Sequence, residues 1–224
     1  MAQQTALVFD LDGTLVDSVY QHVLAWREAL HEVGIEMSVW KIHRRIGMSG
    51  GLFAQGLLRE MDHPMEQSIF ERLQNLHAEY YKQKSDQVVP LPGAKELLSR
   101  LTELKIPWAI ATSGRMKSAG ATLETLEVPE NVPVVTRDLV PYAKPNPDLF
   151  LEAVRQLGVD VTDTIVVGDS VWDLLAARRA RTLGVGLLSG GYGQEELERA
   201  GAYRVYEDPA ELLRHLDELG VRSA

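Results

Sequence analysis

The chain has 224 residues and a net charge of −9, with 45% hydrophobic and 25% charged residues, as in ordinary globular proteins. It contains no cysteine, which excludes disulfides, thiolate metal sites and cysteine catalysis. The acidic balance argues against nucleic acid as a partner, and no apolar stretch approaches the roughly 20 residues of a membrane span. No N-terminal signal pattern is visible, so we expect a cytoplasmic protein.

The first elements are a short strand and a helix. The hydrophobic run 6–9 predicts a buried strand that leads into Asp10-Leu11-Asp12-Gly13-Thr14. Leu11, between the two aspartates, is expected to point into packing. A helix then begins near Asp17-Ser18, which can cap it, and ends at Gly34. Its apolar positions follow the 3.6-residue period and are Val19, Val23, Trp26, Leu30 and Val33.

The block from residue 16 to 88 shows no convincing strand and predicts only helices. Their expected ranges are 17–33, 38–45, 50–61 and 66–84. From residue 90 onward, short apolar strands alternate with helices. The expected strands are 107–111, 132–135, 164–167 and 183–188, and the expected helices are 92–104, 116–126, 147–157 and 171–180. A smaller αβα segment ends at Leu219.

This order of elements predicts an α/β fold, a Rossmann-like parallel sheet flanked by helices. We expect residues 1–15 and 89–224 to form that core domain. Residues 16–88 would form a helical-bundle cap inserted after the first strand, with hinges near 15–17 and 85–92.

A second acidic motif follows the predicted strand 164–167, as Gly168-Asp169-Ser170-Val171-Trp172-Asp173. Open α/β sheets build their sites at the C-terminal ends of strands, which would bring these aspartates close to Asp10 and Asp12. Carboxylates gathered in this way repel one another unless a cation neutralises them. A hard divalent ion with oxygen ligands, Mg²⁺ above all, suits such a site.

Two further positions complete the pattern: Thr112 ends a second strand, and Lys144 lies in Ala143-Lys144-Pro145-Asn146-Pro147. Together with the two aspartate motifs, they resemble the haloacid dehalogenase superfamily. The likeness is to its phosphatases and phosphomutases that carry an α-helical cap after the first strand, and it runs from about residue 5 to 215. Each motif alone is weak, whereas four in order at suitable spacing are a strong signal.

The resemblance implies a role for each aspartate. Asp10 would be the nucleophile that forms an aspartyl-phosphate, and Asp12 the general acid and later the base. Asp169 would ligate Mg²⁺ together with Asp10 and the backbone carbonyl of Asp12. Asp173 would ligate the ion directly or through water, or hold Lys144; alternatively, it is an acid favoured by the helix dipole.

The resemblance also implies residues that bind the phosphate. Thr112 offers a hydroxyl, and the Lys144 ammonium would offset charge that develops during transfer. Ser113 stands where many family members carry asparagine, and it would bind substrate through its backbone N–H.

Substrate choice would lie in the cap. The segment Arg44-Arg45-Ile46-Gly47-Met48-Ser49-Gly50-Gly51 resembles the family's specificity loop, so Arg44 or Arg45 could contact a second polar part of the substrate. Both could equally be solvated arginines at a helix end. His22 matches a histidine that assists the acid–base aspartate in β-phosphoglucomutase and its phosphatase relatives. Trp26 is expected to pack inside the cap.

The implied function is a Mg²⁺-dependent phosphatase, monomeric, acting on a small phosphorylated metabolite such as a sugar phosphate or a phosphoglycolate-like compound. A β-phosphoglucomutase-like sugar phosphomutase is the nearest alternative, but Gly50 stands where such mutases usually carry arginine. Dehalogenation and phosphonate cleavage are disfavoured because Asp12 is present. A non-catalytic module that binds Mg²⁺ and phosphate is disfavoured because every catalytic position is filled.

Overall fold

The computed structural model describes residues 5–53, 56 and 67–221. Its strands are β1 (Ala6–Phe9), β2 (Val16–Asp17), β3 (Val89–Pro90), β4 (Trp108–Ala111), β5 (Val134–Val135), β6 (Thr164–Gly168), β7 (Leu183–Leu187) and β8 (Ala202–Tyr206). The helices are α1 (Val19–Glu32), α2 (Val39–His43), α3 (Gln67–Lys82), α4 (Ala94–Glu103), α5 (Met116–Thr125), α6 (Asp148–Leu157), α7 (Val171–Ala180), α8 (Gln194–Ala200) and α9 (Pro209–Arg214).

Six strands form one parallel sheet in the order β5-β4-β1-β6-β7-β8. The central strand β1 pairs with β4 on one side and β6 on the other. Its side chains alternate between faces: Leu7 and Phe9 lie in one hydrophobic cluster with residues of α4, α5 and α9, and Val8 lies in another with residues of α6 and α7. Burial on both faces explains the continuous apolar run, and it confirms the predicted α/β Rossmann-like fold.

The helices α1, α2 and α3 lie between β1 and β4 in the chain and pack around a third hydrophobic cluster. Its buried members are Val23, Trp26, Ala29, Leu30, Ile42, Phe53 and Leu73. Ala25 and Tyr81, from α1 and α3, instead join the larger cluster that contains β1. The division into a core and a cap at residues 15/16 and 88/89 therefore stays a prediction.

Several predicted element boundaries are wrong. The helix predicted at 38–45 covers only Val39–His43, and the one predicted at 66–84 ends at Lys82 and is followed by a 3₁₀ turn at Ser85–Gln87. The strand predicted at 132–135 is reduced to β5, because the Val132 amide donates to the Pro129 carbonyl within a turn at 3.0 Å. Of the helix predicted at 50–61, residues 50–53 are helical and most of the rest lies outside the described residues.

Both predicted hinges contain a strand that the sequence did not reveal. β2 pairs antiparallel with β3, and the Leu91 amide donates to the Leu15 carbonyl at 2.9 Å. Two-residue strands are too short to show a period. Within the described ranges, no helix has the length and apolarity that a membrane crossing requires.

Candidate active site

The candidate site lies where three central strands end. Asp10 directly follows β1, Thr112 follows β4, and Asp169 follows β6. Because these strands are neighbours in parallel register, their carboxyl ends present the three side chains at one edge of the sheet. All three residues are buried, and Leu11 is fully buried in the core as predicted.

Three carboxylates meet at this edge. Asp10, Asp169 and Asp173 each offer an oxygen, and these oxygens lie within 4.8 Å of one another. Burial raises the pKa of Asp10 to about 7, with Asp173 and Asp12 adding to the rise against the attraction of Lys144. Burial, followed by repulsion from Asp173 and Asp10, raises the pKa of Asp169 well above its usual range. Such a set of oxygen donors, short of positive charge, fits a hard divalent cation.

Two glycines let the backbone approach Asp169 closely. A Cβ atom on Gly190 would lie 1.8 Å from Asp169 Oδ2, and one on Gly13 would lie 2.6 Å from the same oxygen. The hydroxyl of Thr14 donates to Asp169 Oδ1 at 2.8 Å. The carboxylate is thus held on several sides, which suits a ligand that must keep one orientation.

Lys144 is fully buried between two of these acids. Its Nζ lies 2.8 Å from Asp173 Oδ1 and also contacts Asp10 Oδ1. Burial alone would lower the pKa of Lys144, but the charges of Asp10 and Asp173 outweigh it, so the pKa is raised and the ammonium keeps its charge. One lysine cannot neutralise three ionised carboxylates, so a bound cation would be needed to keep all three ionised.

Asp173 has two of its predicted roles: it contacts Lys144, and it lies at the N-terminus of a helix. It holds Lys144, and its Oδ2 accepts from the Ser170 amide at 3.1 Å in a capping box at the N-terminus of α7. Direct or water-mediated ligation of Mg²⁺ by Asp173 stays a prediction.

Asp12 has different surroundings from Asp10. Its Oδ1 accepts from the Ser18 hydroxyl at 2.7 Å and lies 3.3 Å from His22 Nε2. Burial would raise the pKa of Asp12, but His22 and Ser18 outweigh it and hold the pKa below its usual value. The carboxylate of Asp12 does not belong to the triad of Asp10, Asp169 and Asp173, and its backbone carbonyl remains the predicted ligand.

The expectation that the side chain of Ser18 or Asp17 caps α1 is wrong. Ser18 is the N-cap residue of α1, but its side chain makes no capping hydrogen bond, because the hydroxyl is used by Asp12. Asp17 belongs to β2 and is exposed.

Thr112 and Ser113 occupy the end of β4. The Thr112 hydroxyl accepts from the Gly114 amide at 2.9 Å and lies 3.5 Å from Asp12 Oδ2. The Ser113 hydroxyl donates to the Gly47 carbonyl at 3.0 Å. Thr112 is therefore beside the two aspartates of the first motif, while the Ser113 side chain holds the loop that carries the predicted specificity residues.

A cavity of about 440 Å³ opens above Asp10 and Asp12. Its walls come from α1, α3, the loop after α2 and the end of β4. The predicted residues that line it are Asp10, Asp12, His22, Arg45, Thr112 and Ser113. Lys144, Asp169 and Asp173 are not among the lining residues, and they lie around Asp10 instead.

The two candidate arginines of the loop differ. Arg45 lines the cavity, and its Nη1 donates to the Lys41 carbonyl at 2.7 Å. Arg44 instead pairs with Glu196 at 2.7 Å, and its guanidinium lies 4.7 Å above the ring of Tyr192. Of the two, only Arg45 is in a position to reach a substrate in the cavity.

Sequence reasoning missed an aromatic wall of the cavity. His22 Nδ1 lies 3.1 Å from His77 Nε2, and the His22 ring stacks on Tyr81 with centroids 3.9 Å apart. Trp26, buried as predicted, stacks on His77 at 4.2 Å. Burial, followed by the charge of His22, holds the pKa of His77 well below its usual range. His77 and Tyr81 are four residues apart on α3, but that spacing alone does not tie them to Asp12.

Known proteins resemble this chain along most of its length. Residues 4–181 match the family model of haloacid dehalogenase-like hydrolases. Hexitol phosphatase A of Escherichia coli (strain K12) is 33% identical over 175 residues, which cover 77% of this chain and 78% of that protein. Phosphoglycolate phosphatase of Neisseria meningitidis serogroup A is 31% identical over 196 residues, 86% of this chain and 83% of the relative.

A solved structure shares both the fold and much of the sequence. The crystal structure of a hydrolase from Pseudomonas syringae is 52% identical, with a TM-score of 0.92, and the match covers 96% of this chain and 99% of that one. The predicted enzyme class, a phosphoric monoester hydrolase, agrees with these relatives. The chain belongs to the haloacid dehalogenase-like hydrolase family.

Proposed function

We propose that the protein is a Mg²⁺-dependent phosphatase that hydrolyses a small phosphorylated metabolite through a phosphate ester on Asp10. The observation that carries this proposal is the position of Asp10. Its carboxylate belongs to the acidic triad, contacts the Lys144 ammonium and lines the cavity. A nucleophile needs all three neighbours: a cation, a charge that offsets the phosphate, and access to substrate.

In the proposed reaction, an oxygen of Asp10 attacks phosphorus while the bond to the leaving oxygen breaks on the opposite side. Asp12 gives its proton to that oxygen, so the product leaves as a neutral alcohol. Asp12 then takes a proton from water, the water oxygen attacks phosphorus, and the bond to Asp10 breaks to release inorganic phosphate. At the end of the cycle, Asp10 is again a free carboxylate and Asp12 again carries a proton.

Other residues would stabilise charge during this transfer. Asp10, Asp169 and the Asp12 carbonyl would hold Mg²⁺, with Asp173 directly or through water, and the ion would neutralise the carboxylates and the phosphate oxygens. Lys144 and Thr112 would offset and bind the charge that develops on the phosphoryl group.

The cavity and the relatives support a small metabolite as the substrate. A volume of about 440 Å³ suits a small organic phosphate rather than a macromolecule. The wall combines aromatic rings, Trp26 and Tyr81, with polar groups such as Arg45 and His77. Since one relative is a hexitol phosphatase and another a phosphoglycolate phosphatase, we include sugar phosphates, polyol phosphates and phosphoglycolate among the candidates.

The test is phosphate release from a panel of sugar, polyol and nucleotide phosphates and phosphoglycolate, with and without Mg²⁺. We expect one compound to be preferred, and EDTA to abolish the activity. Activity that survives EDTA would contradict the role of Mg²⁺. Conversion of glucose 1-phosphate to its isomer without free phosphate would instead identify a phosphomutase.

A further inference from the structure

A line of hydrogen-bonding groups connects Asp12 with α3. Asp12 Oδ1 lies 3.3 Å from His22 Nε2, and His22 Nδ1 lies 3.1 Å from His77 Nε2. Asp12 and His22 are only partly exposed, at 19% and 17% of their side chains, and both histidines line the cavity. The line therefore starts at the proposed general acid and stays inside the site.

For uncharged imidazole rings, the carboxylate of Asp12 fixes the direction of each hydrogen bond. An ionised carboxylate only accepts, so His22 Nε2 must carry the hydrogen that faces Asp12. In a neutral imidazole the other nitrogen is then an acceptor, and His77 Nε2–H is the donor that meets it. Each ring consequently carries its hydrogen on Nε2.

Stacking alone does not give His22 this orientation. Its ring lies parallel to Tyr81, with an interplanar angle of 1°, which fixes the plane of the imidazole. A half-turn about the Cβ–Cγ bond would return the ring to the same plane, but it would exchange nitrogen and carbon positions and remove Nε2 from Asp12. The hydrogen bond from His77 distinguishes the two orientations, because a carbon facing His77 cannot accept it.

The orientation matters for the proton on Asp12. Oδ1 already accepts from Ser18 at 2.7 Å and faces His22, so a proton on Asp12 is directed to Oδ2. That oxygen lies 3.5 Å from the Thr112 hydroxyl, at the proposed phosphate position. Two donors on one carboxylate oxygen thus present the acidic proton on the other oxygen, toward the leaving group.

We propose that His77 is a positioning residue for the general acid: it fixes the ring of His22, and His22 in turn directs the proton of Asp12 toward the leaving group. This inference rests on the proposed function, in which Asp12 protonates the leaving oxygen. It assigns no contact between His77 and the reacting atoms.

The test compares phenyl phosphate with 4-nitrophenyl phosphate, measured as kcat/KM with Mg²⁺ present. The two differ little in size, but only phenolate is basic enough to need a proton as it leaves. For His77→Phe, which keeps the stacking on Trp26, we expect the 4-nitrophenyl to phenyl ratio to rise about tenfold, as for impaired general acid catalysis. His77→Gln returns a donor at the position of Nε2 and should keep the wild-type ratio.

The exposed His31, on the last turn of α1, provides a matched control, since His31→Phe makes the same chemical change outside the site. An equal fall in kcat/KM for both substrates in His77→Phe would overturn the inference. The inference would also be overturned if His77→Gln changed the ratio of the two kcat/KM values as much as His77→Phe does. Failure of the wild type to release phosphate from any compound would instead refute the proposed function.

A second measurement needs no turnover. Nitrogen-15 spectra of the imidazole rings should show the hydrogen of His22 on Nε2 in the wild type and in His77→Gln. In His77→Phe, where only Asp12 still holds the ring, this preference should weaken. A wild-type His22 with its hydrogen on Nδ1 would overturn the inference, even if the phenylalanine variant failed to fold.

Discussion

Asp10 and Asp12 are separated by one residue, yet their surroundings shift their acidities in opposite directions. Burial and neighbouring carboxylates raise the pKa of Asp10, whereas His22 and Ser18 hold the pKa of Asp12 low. Leu11, the residue between them in the sequence, is buried in the core. A divalent cation bound to Asp10 would favour its ionised form, as a nucleophile requires.

Replacement of the proposed nucleophile tests the first of these roles. Asp10→Asn keeps the size of the side chain but removes the attacking oxygen's charge, so we expect no measurable phosphate release. Circular dichroism and thermal unfolding should show a folded protein. Substantial turnover by this variant would refute the assignment.

Lys144 should contribute through its charge. We expect Lys144→Ala to lower kcat/KM about 100-fold or more, as for a single preorganised donor. Lys95→Ala is the matched control, because Lys95 is on the surface, pairs with Glu127 at 2.6 Å, and such pairs contribute at most about 1 kcal/mol. A loss below tenfold, about 1.4 kcal/mol, would place Lys144 outside direct contact with the phosphate.

The residues of the two acidic motifs could be predicted because each motif is continuous with a strand, and parallel strands place their ends together. Thr112 and Lys144 could be predicted only through the resemblance. His77 and Tyr81 could not, since their contacts depend on how α1 and α3 cross. The hydrogen bond from Ser18 to Asp12 could not be predicted either, because capping rules consider only the backbone N–H groups of the helix itself.

At the scale of elements, the loop after β7 packs against Asp169 in the proposed metal site. Gly190→Ala would place a methyl group 1.8 Å from Asp169 Oδ2, and the bond from Thr14 opposes any retreat of the carboxylate. We expect the Mg²⁺ concentration for half-maximal activity to rise about tenfold, as when groups that orient a ligand are disturbed.

The control for this substitution is Gly120→Ala in α5, where nothing lies within 4 Å of the new methyl group. Removal of a glycine from a helix should raise the free energy of unfolding by up to about 1 kcal/mol without a change in Mg²⁺ dependence. Equal Mg²⁺ dependence of both variants would mean that Asp169 is not a ligand.

The strands and helices of the sheet region could be predicted from local sequence patterns, because fully buried strands and amphipathic helices have distinct hydrophobic patterns. Errors were concentrated at the ends of elements. β5 is shorter than predicted because Val132 bonds within a turn, and α3 ends at Lys82, two residues before the predicted end, with a 3₁₀ turn after it. Such ends are decided by competing hydrogen bonds, which composition does not show.

For the whole molecule, the acidic triad links stability to pH and, through the proposed Mg²⁺ site, to metal. In the metal-free protein, Asp10, with its pKa of about 7, and Asp169 hold protons that the unfolded chain releases near pH 4. The folded state then binds more protons, so this contribution to the free energy of unfolding decreases as pH rises toward 7. Mg²⁺ held by the triad, as proposed, would displace those protons, so we expect its binding to strengthen as pH rises.

We expect Mg²⁺ to raise the unfolding temperature more at pH 8 than at pH 5.5, because binding to the folded state alone stabilises it. Thermal unfolding with and without Mg²⁺ at the two pH values measures the difference. Asp169→Asn should remove the shift at both. A shift as large at pH 5.5 as at pH 8 would contradict the assignment of the triad as the metal site.

The hydrogen bond between Leu15 and Leu91 has a consequence for how such a chain can change length. The segment between these residues leaves and rejoins the sheet region at adjacent points. Its two ends are therefore held together by hydrogen bonds, whatever lies between them. Residues can be added to or removed from its interior without altering the register of β1 against β4 and β6. We therefore expect that the segment lining the proposed substrate cavity can change in evolution while the strand ends that carry the acids keep their positions.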